Sequence, residues 1–546
     1  MTHDSTVRGA RGAMWDFLLT VSQHPKHASR RQSRWLIGVP GKAVVLASAL
    51  MLTDCAVGPR FARPAPPAAT AYTTRGNAPE LTPGHGEPPQ HLAIGQAIPA
   101  QWWGLFHSPA LDGLLRQALA GNPTLAAARA TLAQAQQAVL AARGGYYPQL
   151  DIGATAERQK GPAFALGLLG MLPGTHGLPT FNLYSLGPTV SYAPDVFGLA
   201  RRGVEAQRAG AELERDQLAA AYLTITGNSV EEAVSLAKLH LEIEALTQIV
   251  SDDGRNVALV QRKFDVGRAP RADVLAAQTQ LANDRALLPP LRQQQAAAED
   301  ALAILVGEAP GQWIPPAFTL TDFHLPRELP LSLPSTLARQ RPDILAAEQQ
   351  VHVRSAEVGI ATARMYPSIV LSASVATAAL RPQTLFDSSS GAWALLGGIT
   401  APVFHGGALR AQHRESVEAL KASLALYRQT VLGAFGQVTD TLRALGNDAE
   451  LAAAEHQAVD AARTSLRLQR VSYAAGRSEV LQLLNAERSY QQARLGYARA
   501  TAQRYADSAQ LLVALGGGWW NNAKLCADEC PALPHSRPTS KESATK

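Results

Sequence analysis

Between Leu420 and Leu445 the apolar residues Leu420, Leu424, Tyr427, Val431, Phe435, Val438, Leu442 and Leu445 recur in steps of 4, 3, 4, 4, 3, 4 and 3. That spacing predicts one apolar stripe along a helix, of the kind that packs lengthwise against a neighbour. No proline interrupts the chain from Val403 to Cys530, and the helical pattern runs from Ala408 to Ala474. A second run extends from Leu199 to Val266. At about 1.5 Å per residue each would be ~100 Å long. Helices of that length need neighbours along their whole extent, because propensity alone does not hold an isolated helix in water.

Both runs stop at similar words, FDVGRAPRADVL at 264–275 and YAAGRSEVLQLL at 473–484, and helical periodicity resumes after each. Glycine enters the left-handed conformation that reverses a helix, so Gly267 and Gly476 mark the tips of helical hairpins. Pro289-Pro290 is expected to divide the first returning helix into two stacked pieces. Upstream, Leu111–Arg143 reads as one alanine-rich helix stopped by Gly144-Gly145 and Pro148. Alternating runs at Gln149–Glu157, Tyr184–Tyr192, Ser368–Val375 and Trp393–Thr400 read as strands with two unlike faces. Arg158–Leu183 and Arg381–Gly391, rich in Gly, Pro and Ser, read as the loops between them.

The order of elements occurs twice. Phe264-x-x-Gly267-Arg268 matches Tyr473-x-x-Gly476-Arg477, and without a gap Leu275 then falls on Leu484, Gln278 on Glu487 and Gly307 on Gly516. Earlier in each unit, Asn122-Pro123-Thr124-Leu125 meets Arg341-Pro342-Asp343-Ile344, and Tyr147-Pro148 meets Tyr366-Pro367. Ala193-Pro194 likewise resembles Ala401-Pro402. The chain is therefore two copies of one structural unit.

Composition sharpens this picture. The 546 residues are 46% hydrophobic and only 17% charged, enough for a large core. Seven basic residues against two acidic ones in positions 1–42 account for +5 of the formal +6, so the rest is nearly neutral and no nucleic-acid partner is indicated. The basic stretch leads into the ten apolar residues Ala43–Leu52, too few to span a bilayer but suited to an export signal. Leu52-x-x-Cys55 resembles a bacterial lipobox, in which the cysteine is lipidated, although Asp54 stands where a small residue is usual. Cys526 and Cys530 lie in a polar tail and do not make a metal site. H-E-x-x-H, G-x-S-x-G, a P-loop and Cys/His clusters are all absent, so neither an enzyme nor a cofactor is expected.

Four strands of bilayer-crossing length do not close a barrel, and an open edge leaves unpaired amides in hydrocarbon. Three chains would supply twelve strands. The expected fold is mostly α with membrane β: a trimeric 12-stranded β-barrel, four strands per chain, joined to ~100 Å helical hairpins and built on an internal two-fold structural repeat. Residues 1–54 are expected to be an export signal with a basic leader, 55–101 an extended segment, 102–310 and 337–519 the repeats, 311–336 a linker and 520–546 a tail.

Trp102-Trp103-x-x-Phe106, Leu111-x-x-Leu114 and Asn122-x-x-Leu125 resemble the opening signature of the TolC-like outer-membrane factors. Arg341-Pro342-Asp343-Ile344-x-x-Ala347-Glu348, Leu288-Pro289-Pro290-Leu291 and Cys55-Ala56-Val57-Gly58-Pro59 resemble its NodT-type lipoprotein branch. The resemblance covers Cys55 to Trp519. It implies a homotrimeric exit duct in the outer membrane, in contact with its lipid, whose β-barrel is continuous with a long periplasmic α-helical barrel, working with a periplasmic membrane-fusion adaptor and an inner-membrane efflux transporter to expel drugs or other small molecules. It implies lipid attachment at Cys55. It also implies adaptor docking at the tips, here Phe264, Val266, Gly267, Arg268 and Ala269, with Tyr473, Ala475, Gly476, Arg477 and Ser478. Relatives narrow the tunnel with acidic residues just beyond the glycine; the matching positions are Asp273, Gln482 and Asn485, two of them amides. Asp273 is either one member of a ring of three carboxylates or a solvated hairpin-end residue. A duct for protein secretion shares this architecture. A periplasmic coiled-coil scaffold would have the hairpins but not the paired strands.

Overall fold

The computed structural model describes residues 56–65, 71–73, 76, 90–160 and 180–521. The export-signal segment, Cys55, most of the first inter-strand loop, Cys526 and Cys530 lie outside the described residues. From Ala56 onward the regular elements are β1 (His91–Ile94), α1 (Pro109–Gly121), α2 (Pro123–Gly144), β2 (Gln149–Gln159), β3 (Phe181–Tyr192), α3 (Leu199–Asp265) and α4 (Arg271–Val306). Then come β4 (Glu328–Leu331), α5 (Pro334–Leu337), α6 (Pro342–Ala363), β5 (Ser368–Ala379), β6 (Gly391–Thr400), α7 (Ala408–Ala474) and α8 (Val480–Ala514).

The duplication is visible in the lengths. α2 and α6 have 22 residues each and α3 and α7 have 67 each, while α4 and α8 have 36 and 35. Each unit runs helix, strand pair, long helix, returning helix. The stripe expected on α7 is where the packing is: Tyr427, Val431, Val438, Leu442 and Leu445 are buried, and Leu420, Leu424 and Phe435 are half-buried. α7 packs lengthwise on α8 and α6, and α3 on α4, α6, α2 and α8. Around the middle of these helices the largest core gathers Trp102, Trp103, Phe106, Leu111, Leu236 and Leu302, all essentially without solvent exposure.

Two expectations are corrected. The single helix read over Leu111–Arg143 is two helices, α1 and α2, broken at Asn122. That residue is extended, at φ −67° and ψ 121°, because the ring of the following proline excludes the helical conformation. Its side chain then caps α2, the carbonyl oxygen accepting from the N–H of Thr124 at 2.8 Å and Leu125 at 3.4 Å. Conversely, Pro289-Pro290 does not divide the returning helix, since α4 runs through both. The prolines remove the bonds to the carbonyls of Arg285 and Ala286, but all four residues are exposed, so water can take those carbonyls.

The strands form a four-stranded antiparallel sheet in the order β2-β3-β5-β6, so the two units meet at β3–β5 while β2 and β6 are its edges. β1 and β4 pair in parallel, His91 with Glu328 through Ile94 with Leu331. Strands of four residues carry too little alternation to be read from sequence.

Candidate functional site

The register of the four-stranded sheet sorts its side chains. Residues opposite one another in a ladder share a face. Leu150 lies opposite Val190, Ile152 opposite Pro188, Val190 opposite Ala373, and Tyr192 opposite Leu371. Ala373 then meets Leu395, Val375 meets Trp393, and Ile369 meets Ile399. One face is thus mainly apolar across all four strands, with Arg158 opposite Asn182 and with Thr377 as its polar positions toward the far end. The other carries Gln149 with Ser191, Asp151 with Thr189, Thr155 with Ser185, Ser372, Ser374 and Thr400, with Phe181, Leu183, Val370 and Leu396 as large apolar exceptions. Ile152 is 75% exposed, Trp393 80%, Leu395 77% and Ile399 73%. An apolar face this extensive, left open by its own chain, marks contact with another molecule or a membrane. Strands of 10–12 residues with apolar and polar faces match the wall of a transmembrane barrel.

At the other end of the long helices the two tips have one construction. Gly267 has φ +70° and Gly476 φ +68°. In the first tip the Gly267 N–H donates to the Phe264 carbonyl at 2.9 Å and the Arg268 N–H to the Lys263 carbonyl at 2.7 Å. In the second, Gly476 donates to Tyr473 at 3.1 Å and Arg477 to Ser472 at 2.8 Å. These paired bonds close the last turn around a left-handed residue. A Cβ on either glycine would meet nothing within 4 Å, so backbone conformation, not crowding, requires glycine there.

The tips also join one another. Val260, Val274 and Ala277 from the first hairpin share a buried cluster with Leu466, Tyr473, Val480, Leu483 and Leu484 from the second, and Phe264 packs against it. The Lys263 ammonium lies 3.6 Å above the Tyr473 ring. Val266, Gly267, Arg268, Ala475, Gly476 and Arg477 are exposed, whereas Ala269 and Ser478 are half-buried. The Tyr473 hydroxyl and Ser478 Oγ are buried without a hydrogen-bond partner. Of the constriction candidates, Gln482 and Asn485 stand exposed on the first turns of α8, and Asp273 is half-buried at the matching turn of α4.

Periodicity along the chain gave no sign of the polar ties between hairpins. Buried Glu487 accepts from Asn256 Nδ2 at 2.7 Å and from Arg470 at 2.8 Å, linking α8 to α3 and α7. The match of Gln278 with Glu487 was the available signal, because the position is polar in both units. Farther along, each hairpin buries a carboxyl beside another. Burial first, then the neighbouring Asp284, pushes Asp253 up to about 7, with Glu487 and Asp252 adding to the effect. Burial and Asp507 push Asp448 to about 7 against the opposing pull of Arg504. A carboxyl raised in the folded state favours the fold most below its unfolded value, near 4, and that contribution fades as pH rises through about 7. The thermal midpoint should therefore fall from pH 5 to pH 8, by about 1 °C per kcal/mol lost in a chain of 546 residues. Asp253→Asn with Asp448→Asn should flatten that slope in scanning calorimetry; an unchanged slope would refute the assignment.

Comparison with known proteins agrees with this geometry. The family described as outer membrane efflux protein matches residues 114–308 and 333–517, one stretch in each repeat. The pyoverdine export outer membrane protein OpmQ of Pseudomonas aeruginosa is 30% identical over 439 residues, covering 79% of this chain and 90% of its own. The probable outer membrane lipoprotein SilC of Salmonella typhimurium is 25% identical, covering 88% and 99%. The solved outer-membrane channel OprN superposes with a TM-score of 0.75 at 26% identity, over 85% of this chain and all of its own. On the family match across both repeats, and on a two-faced sheet joined to long helical hairpins, this chain belongs to the outer membrane efflux protein family.

Proposed function

We propose that the chain is the outer-membrane exit duct of a tripartite efflux system, a homotrimer that passes drugs or other small molecules and catalyses no reaction. The observation that carries this reading is the sheet itself: four strands, one apolar face, one polar face and, among the described residues, two unpaired edges. Unpaired strand edges are not tolerated in hydrocarbon, so the sheet calls for further copies, and three copies bring twelve strands to one barrel. Energy for transport comes from an inner-membrane transporter, reached through a periplasmic adaptor. OpmQ is named for pyoverdine export and OprN as a channel, which supports a small-molecule duct.

The adaptor docks at Phe264–Ala269 and Tyr473–Ser478. Supporting this, the residues around both tip glycines are exposed and the two turns are alike in backbone. Asp273, Gln482 and Asn485 line the narrowing just inside them. Cys55 carries the lipid anchor. The residues after it are fixed to the root of α3 and the middle of α6: the Val57 N–H donates to the Phe197 carbonyl at 3.2 Å, and Phe61 stacks on His352 with centroids 4.1 Å apart. SilC, a relative over 88% of the chain, is named a lipoprotein. Residues 1–54 serve as export signal, 55–101 and 311–336 as connecting segments, 102–310 and 337–519 as the two duct-forming repeats, and 520–546 as a tail.

Native mass spectrometry of the detergent-extracted outer-membrane protein tests both parts. The expected species is three copies, each starting at an acylated Cys55. A monomer would overturn the duct, and a trimer with an unmodified terminus would overturn only the anchor.

A further inference from the structure

The internal repeat relates the contact between one copy and the next to a contact already present inside each copy. The pairing that results rests on the homotrimer proposed above and adds its register. Tyr147-Pro148 and Tyr366-Pro367 equate β2 with β5, so Gln149 corresponds to Ser368. Gln149 pairs with Ser191 in the first strand pair and Ser368 with Thr400 in the second, so Ser191 of β3 corresponds to Thr400 of β6. The same offset relates the first residues of the long helices, Leu199 and Ala408, and the tip glycines, Gly267 and Gly476.

Within the chain the two units meet through β3 and β5, where Tyr192 lies opposite Leu371 and Thr189 opposite Ser374. The equivalent edges, β6 and β2, have no partner strand in the sheet among the described residues. In a closed ring of repeats the second junction must be made by β6 of one copy and β2 of another, in the antiparallel sense of every other junction. Carrying the β3–β5 register across gives the pairs. We infer that Thr400 lies opposite Gly153 of the partner subunit, Gly398 opposite the partner's Thr155, and Ile399 opposite the partner's Ala154.

The faces of the sheet check this independently. Gly398 and Thr400 project to the polar face, as Gly153 and Thr155 do; Ile399 and Ala154 project to the apolar one. Aligning instead on the similar Ala193-Pro194 and Ala401-Pro402 shifts the register by one residue. Thr400 would then meet Ile152, and every apolar position of β6 would face the polar side of β2. A one-residue slip moves a whole strand's side chains to the wrong face, so that alternative is rejected.

Both edges have room for the test. A Cβ at Gly398 meets only the Val370 carbonyl oxygen, at 4.0 Å, and Thr155 is exposed. Directly opposed antiparallel residues have Cα atoms about 4.5–5.5 Å apart, within the range a disulfide spans. Thr155→Cys with Gly398→Cys, oxidised in outer-membrane fractions, is expected to convert most of the protein into covalent multimers on a non-reducing gel. Thr155→Cys with Gly397→Cys, on opposite faces, is expected to stay at the level of the single variants and the parent. Strong linkage of Thr155→Cys to Thr400→Cys with none to Gly398→Cys would overturn the register. An assembly of trimer mass that links through no pair would overturn the edge contact while leaving the trimer standing. A monomeric mass for the parent would remove the homotrimer itself.

Discussion

Gly187→Val should stop the four-stranded sheet from forming and empty the outer membrane of this protein. Gly187 lies on β3 beside β5, at the junction where the two repeats meet within the sheet. A Cβ there would come within 2.2 Å of the Val375 carbonyl oxygen and 2.5 Å of Ala376 Cα. Both are backbone atoms of a paired strand and have no rotamer to yield, which is the close approach that glycine in a strand marks. Next to it Pro188 has no N–H to give to the ladder, so this stretch has little pairing to lose before the strands separate. Separation costs several ladder bonds at ~1 kcal/mol each, and each 1.4 kcal/mol is about tenfold in population. Outer-membrane protein should drop by at least about tenfold on that scale. Gly391→Val, where the space is open, serves as control and should accumulate normally. Normal levels of Gly187→Val would refute the assignment of this junction.

The second large effect is expected at the other end. Gly476→Pro forces φ to about −65° where the tip holds +68° and removes the N–H that Tyr473 accepts. The tip must re-fold, and with it the seat of Tyr473, the residue that receives Lys263 from the first hairpin. Because the substituted turn is ~100 Å of helix away from the sheet, assembly and pore formation in isolated membranes should survive. Efflux in cells should fall to near the level of a strain lacking the protein. Gly476→Ala, which asks for about 1–2 kcal/mol of left-handed strain, should fall between. Unaltered efflux by the proline variant would refute the tip as a docking element.

Much of this molecule is legible in its sequence. The long helices declare themselves because 3.6-residue periodicity accumulates over 67 residues, and β5 because Ser368, Ser372 and Ser374 alternate with Ile369, Leu371 and Val375. What failed was local chemistry embedded in a strong pattern. Asn122-Pro123 breaks an alanine-rich run whose periodicity continues on both sides, and Pro289-Pro290 is absorbed because its orphaned carbonyls lie at exposed positions. The tip glycines were readable because their conformation belongs to the residue itself. The Glu487 and Asp253 ties were not, because partners such as Asn256 and Asp284 come from other helices whose register no single segment encodes.

If the assembled protein is a pore, it must carry current without its partners. Single-channel conductance of the detergent-extracted assembly in a planar bilayer tests this most directly. Discrete, uniform steps from particles of trimer mass are the predicted result. A correctly assembled trimer that inserts and carries no current, or a protein found only as a soluble periplasmic monomer, would contradict it.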